Sequence, residues 1–337
     1  MKIYIHPQTN ILYSSFYIYG LEQAFGRSSI IYTSKPFADA PKSIIGKNLL
    51  VIVEDSGIKR RYFIDMDDSF KVGPEAYEWC DYYAHVNANF QKTEKDFHDK
   101  LISLCPSFGI RCWNEWSMIP HIISGMMGCG LSEIRKVLGK YKRLSNRSTL
   151  ENYYKQGTVR DDYVFFCSTL WYSDEWNKND EKVNLARANF IRACKCLPAV
   201  KFEGGLVSQG KDRSSEDLFS DCLASGVPMA EWMQKTKESA VVFNTPAFWS
   251  CHGWKLGEYL AMGKAIISTP LSNDLPEPLA HGVNIHFVEN DQQAIQDAVQ
   301  YIISNPDYRR QLEAGAKEYW EKYGTPEASL RLMGIIQ

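Results

Sequence analysis

The sequence predicts an α/β protein made of two doubly wound domains. Three observations carry that expectation. At 337 residues the chain is long enough for about two domains. Short, continuous apolar runs alternate with helical patterns after Asp162, the mark of a parallel sheet covered on both faces. One stretch, Val241 to Pro270, reads strand–helix–strand without interruption. In it Val241-Val242-Phe243 breaks off at Asn244-Thr245-Pro246, and Gly253 precedes a compact helix from Trp254 to Met262 that Gly263 stops. Ala265 to Ser268 then forms a second strand ending at Pro270. The two halves are expected to be similar sheets facing each other across a cleft.

Taken in order, Lys2 to His6 is a first strand, followed by a polar turn from Pro7 to Asn10. Residues 11 to 25 end in a helix-like Gly20 to Phe25, stopped by Gly26. Ile30-Ile31-Tyr32 and Leu49 to Val53 are apolar strands of the kind buried on both faces. Tyr62-Phe63-Ile64 is another and leads into Asp65-Met66-Asp67-Asp68. Tyr82 to Val86 and Phe108-Gly109-Ile110 complete the strands expected of this half. Ile134, Val137, Leu138 and Tyr141 then repeat at helical spacing, while Arg135, Lys136, Lys140, Lys142 and Arg143 occupy the other face, with Arg147 beyond. The polar segment Asn146 to Gly157 reads as a linker, which sets the first domain at 1–150 and the second at 151–325.

The second half is cleaner. Tyr163 to Cys167 is a strand ending in Ser168-Thr169, and a helix beginning at Asp180 carries Val183, Ala186, Phe190, Ile191 and Cys194 on one face. Val200 to Phe202 leads to Gly204-Gly205, and Met229 to Lys237 is a helix before the Val241 strand. Ile285 to Val288 is a further strand, followed by a helix marked by Ile295, Ala298, Val299 and Ile302. A longer helix carries Leu312, Ala316, Tyr319, Trp320 and Tyr323. Pro326 turns a last segment, 326–337, away from it.

Composition narrows the class. Apolar residues make up 45% and aromatics 13%, enough for substantial cores, and 38 basic against 40 acidic side chains give a net charge of −2, so no global charge argues for nucleic acid. No apolar run is long enough for a membrane span. The chain opens directly as a strand, without the charged and apolar regions of a signal peptide. Nine scattered cysteines without a Cys-x-x-Cys pair read as reduced and structural, which predicts a cytoplasmic chain.

The Val241–Pro270 unit also holds the sharpest chemistry. A helix N-terminus is already positive, so Lys255 in the first turn is unfavourable unless an anion sits there. Glu258, three residues on, lies close to the same face and suits the paired hydroxyls of a ribose. A phosphate cation beside a diol acceptor describes a nucleotide site. The plainer reading has Lys255 reaching solvent and Glu258 capping nothing.

The run Gly253-Trp254-Lys255-Leu256-Gly257-Glu258 through Gly263-Lys264-Ala265-Ile266-Ile267-Ser268-Thr269-Pro270 resembles the donor-binding helix of GT-B glycosyltransferases, of the family 4, or group 1, type. The likeness extends through Leu271 to Pro276, Gly282 and Phe287-Val288-Glu289, and upstream takes in Pro228 to Trp232. It covers about half of the chain well. It implies two Rossmann-like domains, a nucleotide-sugar donor in the second, and a tail from 326 that crosses back to the first. It also implies a glycan or lipid-linked glycan acceptor, as in polysaccharide or lipopolysaccharide assembly. Ser250 stands where the large retaining family has the first of two glutamates, which leaves the stereochemistry of transfer open.

By position, the expected donor contacts are Ser168 and Thr169 at one strand end, Asn244 and Thr245 at another, and His252, Gly253, Trp254, Lys255 and Glu258 at the helix start. His252 is as readily a hydrogen-bonded loop residue. Lys255 doubles as the catalytic cation on the leaving diphosphate, so no metal or other cofactor is expected. Asp65 or Asp67 would hold an acceptor hydroxyl or take its proton. Aspartates at i and i+2 also suit a divalent cation, as in metal-dependent GT-A glycosyltransferases, and they equally suit a solvated strand-end turn. A non-catalytic nucleotide-sugar-binding protein is the alternative outside enzymes. Trp113, Asn114, Glu115 and Trp116 form an aromatic-polar cluster suited either to a sugar ring or to packing. The basic face from Arg135 to Arg147 is either a solvated helix surface or a peripheral contact with the inner face of a membrane.

Overall fold

The structure, a computed structural model, describes residues 1–126, 131–171, 179–210 and 213–337; Cys129 lies outside them. By contacts the chain divides into two compact units. Unit 1 takes Met1–Asn152, Asn273–Glu277 and Lys322–Gln337, and unit 2 takes Tyr153–Ser272 and Pro278–Glu321.

Unit 1 runs β1 (Lys2–Ile5), α1 (Ile11–Phe25), β2 (Ile30–Tyr32), β3 (Leu49–Asp55), β4 (Ile58–Asp65), α2 (Pro74–Trp79), β5 (Tyr82–His85), β6 (Leu101–Ser103), α3 (Glu115–Met126), α4 (Leu131–Ser145) and α5 (Leu150–Tyr154), the last spanning the division between units. Among the described residues its sheet has the order β2-β1-β3-β4-β5-β6. Pairing is parallel at β1–β2, β4–β5 and β5–β6, but β3 is antiparallel to both β1 and β4. The apolar run of β3 is buried as its composition demands, yet its direction is reversed. The cause is a tight hairpin: Ser56 (φ 51°) and Gly57 (φ 84°) both lie in the left-handed region that a two-residue turn between twisted strands requires.

Two further expectations are corrected. Helix α1 begins at Ile11, a full two turns before Gly20. Phe108 and Ile110 are fully buried but lie outside any strand. Phe108 packs on Phe16 of α1 (ring centroids 5.4 Å apart), and Ser15 Oγ of α1 accepts the Ile110 N–H at 3.1 Å. Burial and hydrogen bonding are thus satisfied by a helix, and the sixth strand is supplied by Leu101–Ser103 instead.

Unit 2 runs β7 (Tyr163–Thr169), α6 (Asn179–Lys195), β8 (Lys201–Val207), α7 (Arg213–Leu218), α8 (Met229–Glu238), β9 (Val242–Asn244), α9 (Trp254–Ala261), β10 (Ile266–Ser268), β11 (His286–Phe287), α10 (Gln292–Ser304) and α11 (Pro306–Tyr319). β7 pairs with β8 and β9 with β10 and β11, all in parallel. The two ladders meet between β7 and β9, where the Ala240 N–H donates to Tyr163 O at 2.7 Å and Ser239 Oγ accepts the Phe165 N–H at 2.9 Å. The strand sequence across the unit is therefore β8-β7-β9-β10-β11, with connections leaving β7 in opposite directions. A core of Val164, Phe166, Phe190, Ile191, Phe243, Ile267, Val299 and Leu312, among others, fills the space between these strands and α6, α10 and α11.

The chain ends in α12 (Pro326–Leu332), which belongs to unit 1 and packs along α1. Gly20 makes this approach possible: a Cβ there would meet Pro326 Cβ at 2.9 Å and its carbonyl at 3.2 Å. Gly20→Ala gains helix propensity of about 1 kcal/mol but overpacks by about 1–3 kcal/mol. Urea denaturation of the variant is expected to give a lower midpoint; an unchanged or higher one would show that the α1–α12 contact is loose.

Candidate functional site

The parallel order β8-β7-β9-β10-β11 has a switch point between β7 and β9. In open α/β sheets a crevice forms at such a point, outside the carboxyl ends of the strands, because the connections on either side turn away from each other. The residues that end these strands are Ser168 and Thr169 on β7 and Asn244 with the following Thr245 on β9. Ser168 and Asn244 are buried. The Asn244 amide donates to Ser268 Oγ at 2.9 Å, and the Thr269 hydroxyl donates to Thr245 Oγ1 at 2.8 Å, so the ends of β9 and β10 are joined by side chains.

Helix α9 starts at this edge. Gly253, its N-cap, is extended and has no side chain to offer a capping bond. Lys255 lies half-buried in the first turn, and its Nζ donates to Cys167 O near the end of β7 at 2.8 Å. The same ammonium stands 4.8 Å from the Trp232 ring centroid and 5.9 Å from that of Phe166. A lysine beside the positive end of a helix costs about 0.3–1 kcal/mol, and aromatic faces return a comparable amount. The unfavourable charge placement thus has a local answer, and it fixes the ammonium at the strand edge rather than in solvent. Glu258 is buried, and its Oε1 accepts the Tyr153 hydroxyl at 2.9 Å. His252 is buried and Trp254 half-buried beside them. Between β9 and α9, Trp249 (φ 55°) and Ser250 (φ 63°) are both left-handed, a conformation costing about 1–2 kcal/mol per non-glycine residue.

One residue of this edge was missed. Arg187 of α6 is 7% exposed, and its Nη1 donates to Thr169 O at 2.7 Å. Burial lowers its pKa to about 10, and among the described residues no carboxylate pairs with it. The available signal was its place on an otherwise apolar helix face, four residues after Val183 and three before Phe190. Ser168, Thr169, Asn244, Thr245, Lys255 and Arg187 are thus all set at one edge of unit 2.

Asp65 and Asp67 lie in unit 1 and have different environments. Asp65 is 3% exposed, and its Oδ1 accepts from Asn48 Nδ2 and from the Asp67 N–H, each at 3.0 Å. Its Oδ2 takes the Tyr83 hydroxyl, with His85 Nε2 at 4.0 Å. Both oxygens are committed within the fold, so Asp65 ties β4 to β5. Among the described residues no group of three metal-binding side chains is formed. Asp67 is exposed as a residue, yet packing around its carboxyl, followed by the Asp65 charge, raises its pKa above the ordinary 3.8. The Trp113–Trp116 cluster divides as well. Trp113 is buried, donates to Glu22 Oε1 at 2.8 Å and stacks on His121 at 3.8 Å, whereas Trp116 is 82% exposed.

No family model and no curated protein matches the chain. It is similar in structure to solved glycosyltransferases and UDP-sugar epimerases. A glycosyltransferase from Rickettsia africae aligns at 12% identity over 78% of this chain and 66% of its own, with a TM-score of 0.43. Anabaena Alr3699/HepE in complex with UDP aligns at 12% identity over 81% of this chain and 71% of its own, with a TM-score of 0.44. UDP-GlcNAc 2-epimerase from Neisseria meningitidis bound to UDP-GlcNAc aligns at 14% identity over 77% and 62%, with a TM-score of 0.41. Likenesses at TM-scores this low leave the chemistry of this chain to be read from its own residues.

The Asp67 carboxyl yields a prediction with a definite sign. Its folded pKa lies above its unfolded value, so the folded state binds more protons between the two and loses stability as pH rises through that window. Asp67→Asn is expected to raise the melting temperature at pH 7, with the gain vanishing below the ordinary value of 3.8. A gain of equal size at both pH values would assign it to something other than the carboxylate.

Proposed function

We propose that the chain is a glycosyltransferase of the two-domain GT-B type, which binds a nucleotide-sugar at the β7–β9 edge of unit 2. The observation that carries this reading is the switch point itself, with two cations, Lys255 and Arg187, at the carboxyl ends of its strands. Lys255 and the first N–H groups of α9 meet the diphosphate charge, so the reading needs no metal. Glu258 takes the ribose hydroxyls, with Tyr153 holding its carboxylate in place. Ser168, Thr169, Asn244, Thr245, His252, Gly253 and Trp254 line the remainder of the donor. As the diphosphate leaves, the charge that Lys255 faces grows, and this differential attraction accelerates transfer.

The acceptor, a glycan or lipid-linked glycan, falls to unit 1 in this reading. Asp67 is the candidate base, because Asp65 is committed to Asn48, Tyr83 and the Asp67 backbone. That commitment also weighs against a GT-A-type site in which both aspartates hold a cation. Polysaccharide or lipopolysaccharide assembly is the setting proposed.

A peripheral membrane contact is part of the proposal, supported by two neighbouring helices of unit 1. On α3, Trp116, Ile119 and Ile123 recur at i, i+3 and i+7 and are 82%, 45% and 55% exposed. On α4, which packs against α3, Arg135, Lys136, Lys142 and Arg143 are exposed. Arg147 is not available, since its Nε donates to Gly109 O at 2.9 Å. Among the described residues no helix is long and apolar enough to cross a membrane.

Calorimetry against UDP, GDP and ADP and the corresponding nucleosides tests the donor site. Lys255→Ala is expected to weaken the bound diphosphate by roughly ten- to a hundredfold, about 1.5–3 kcal/mol, and to leave the nucleoside almost untouched. Glu258→Gln should weaken both alike. Equal effects of Lys255→Ala on the two ligands would remove Lys255 from the phosphate position. Chelation is expected to leave donor binding intact; loss in EDTA with recovery in manganese would overturn the metal-free reading.

For the membrane contact, sedimentation with anionic vesicles should carry the protein down at low salt and release it at high salt. Trp116→Ala with Ile123→Ser should weaken this association without changing nucleotide affinity. Absence of sedimentation at low salt would leave α4 a solvated surface.

A further inference from the structure

Given a nucleotide-sugar at the β7–β9 edge, the reading on which this rests, we propose that the sugar is acidic and that Arg187 of α6 holds its carboxylate. The starting point is a guanidinium only 7% exposed that has no carboxylate partner among the described residues. Arginine is almost never fully buried unless it is paired.

Holding the fold together does not account for that charge. Helix α6 meets the end of β7 through two side chains. Asn184 accepts the Trp171 N–H at 3.1 Å and donates to Trp171 O at 2.8 Å, so its amide is engaged on both sides by the backbone of one residue. Arg187 donates from Nη1 to Thr169 O at 2.7 Å and, among the described residues, makes no other hydrogen bond. That occupies one of five N–H donors. A neutral donor such as the Asn184 amide serves a single carbonyl without the cost of desolvating a cation.

The edge around Arg187 is poor in acids. Tyr163 to Trp171, Ser239 to Gly257 and Lys264 to Asn273 contain no aspartate or glutamate, although they supply the ends of β7, β9 and β10 and the start of α9. The first carboxylate of α9 is Glu258, and it accepts the Tyr153 hydroxyl. The side chains on which the Arg187 charge acts are Tyr259 of α9 and Cys251, just before that helix. A neutral sugar needs acceptors for its hydroxyls, and carboxylates are the strongest the chain has. An edge with two cations and so few acids suits a ligand that brings its own carboxylate.

Position separates this carboxylate from the diphosphate. Lys255 is anchored on Cys167 O and Arg187 on Thr169 O, two residues further toward the carboxyl end of β7 and so about 7 Å along the strand. The two phosphates of a diphosphate share one oxygen, and Lys255 with the first N–H groups of α9 meets them at one place. From Glu258 at the ribose to Lys255 at the diphosphate, the donor runs toward the start of α9. The sugar comes next, beside Cys251, on which the Arg187 charge acts. The planar fork of an arginine matches a carboxylate with two parallel hydrogen bonds.

The test is calorimetry of the whole chain against UDP, UDP-glucose and UDP-glucuronate, and against GDP, GDP-mannose and GDP-mannuronate. On the base the protein accepts, the uronate is expected to bind about tenfold or more tighter than its neutral counterpart. Arg187→Gln should abolish that preference and leave the affinity for the free diphosphate unchanged. Arg187→Lys keeps the charge without the fork and should retain part of the preference; it decides the matter, together with the unmodified chain, if Arg187→Gln does not fold. Equal or tighter binding of the neutral sugar by the unmodified chain overturns the proposal. So does an Arg187→Gln variant that binds the free diphosphate as much more weakly as it binds the uronate, since Arg187 would then sit on phosphate. Both outcomes leave the donor site standing, whereas failure of every one of these nucleotides to bind removes the donor site and the acidic sugar with it.

Discussion

Unit 2 depends on how β7 meets β9. Regular pairing is interrupted there, and one hydroxyl takes its place. Ser239, fully buried, accepts the Phe165 N–H at 2.9 Å and donates to Val241 O at 2.7 Å. Its own carbonyl receives the Lys264 ammonium at 2.6 Å. A buried N–H left without this oxygen would cost about 1–3 kcal/mol, so the side chain is as much a part of the sheet as the strands are. Because β8 leaves β7 on one side and β9 lies on the other, this seam is also where the crevice must open. Ser239 holds this seam from the amino end of β9, and the crevice opens at the opposite, carboxyl end.

Buried or half-buried cations mark both ends of that seam, and their partners differ in kind. At the carboxyl edge Lys255 donates to Cys167 O and Arg187 to Thr169 O, both at the end of β7. A lone carbonyl satisfies one donor of a guanidinium that has five, and burial already lowers the Arg187 pKa to about 10. At the amino edge Lys264 is tied to two carbonyls of one helix end, a stronger structural commitment. Arg187 therefore keeps donors at the strand end beyond the one that Thr169 O takes. The second secures α8.

How legible all this was depends on range. The Val241–Pro270 unit could be read because its signals are local: apolar runs end at Asn244 and Pro270, and Gly263, with φ 60°, is a residue whose lack of Cβ suits the turn after α9. In the first half, the burial of Leu49–Val53 was readable and its direction was not, since direction is set by the Ser56-Gly57 turn and by which neighbours β3 finds. Phe108 and Ile110 show the same limit, because an apolar run records burial without recording whether a strand or a helix provides the cover. Arg187 was missed for a related reason. A cation on an apolar helix face is visible in the sequence, but only the fold brings it to Thr169 O, eighteen residues away.

Asp65 and Asp67 carry the point into chemistry. As a motif they are equivalent, two carboxylates flanking Met66, and either suits a base. The fold separates them by giving Asp65 most of the hydrogen bonds, while Asp67 shares Asn48 with it. Asp65 accepts from Asn48, Tyr83 and the Asp67 N–H, and by holding its negative charge in place it makes ionisation harder for its neighbour. Asp67 is thus the carboxyl with the raised affinity for protons, through the packing around it first and the Asp65 charge second. Two residues of one short motif are thereby set apart, Asp65 tying β4 to β5 and Asp67 carrying the carboxyl that protonates more readily, a difference that the motif conceals and an asymmetric environment creates.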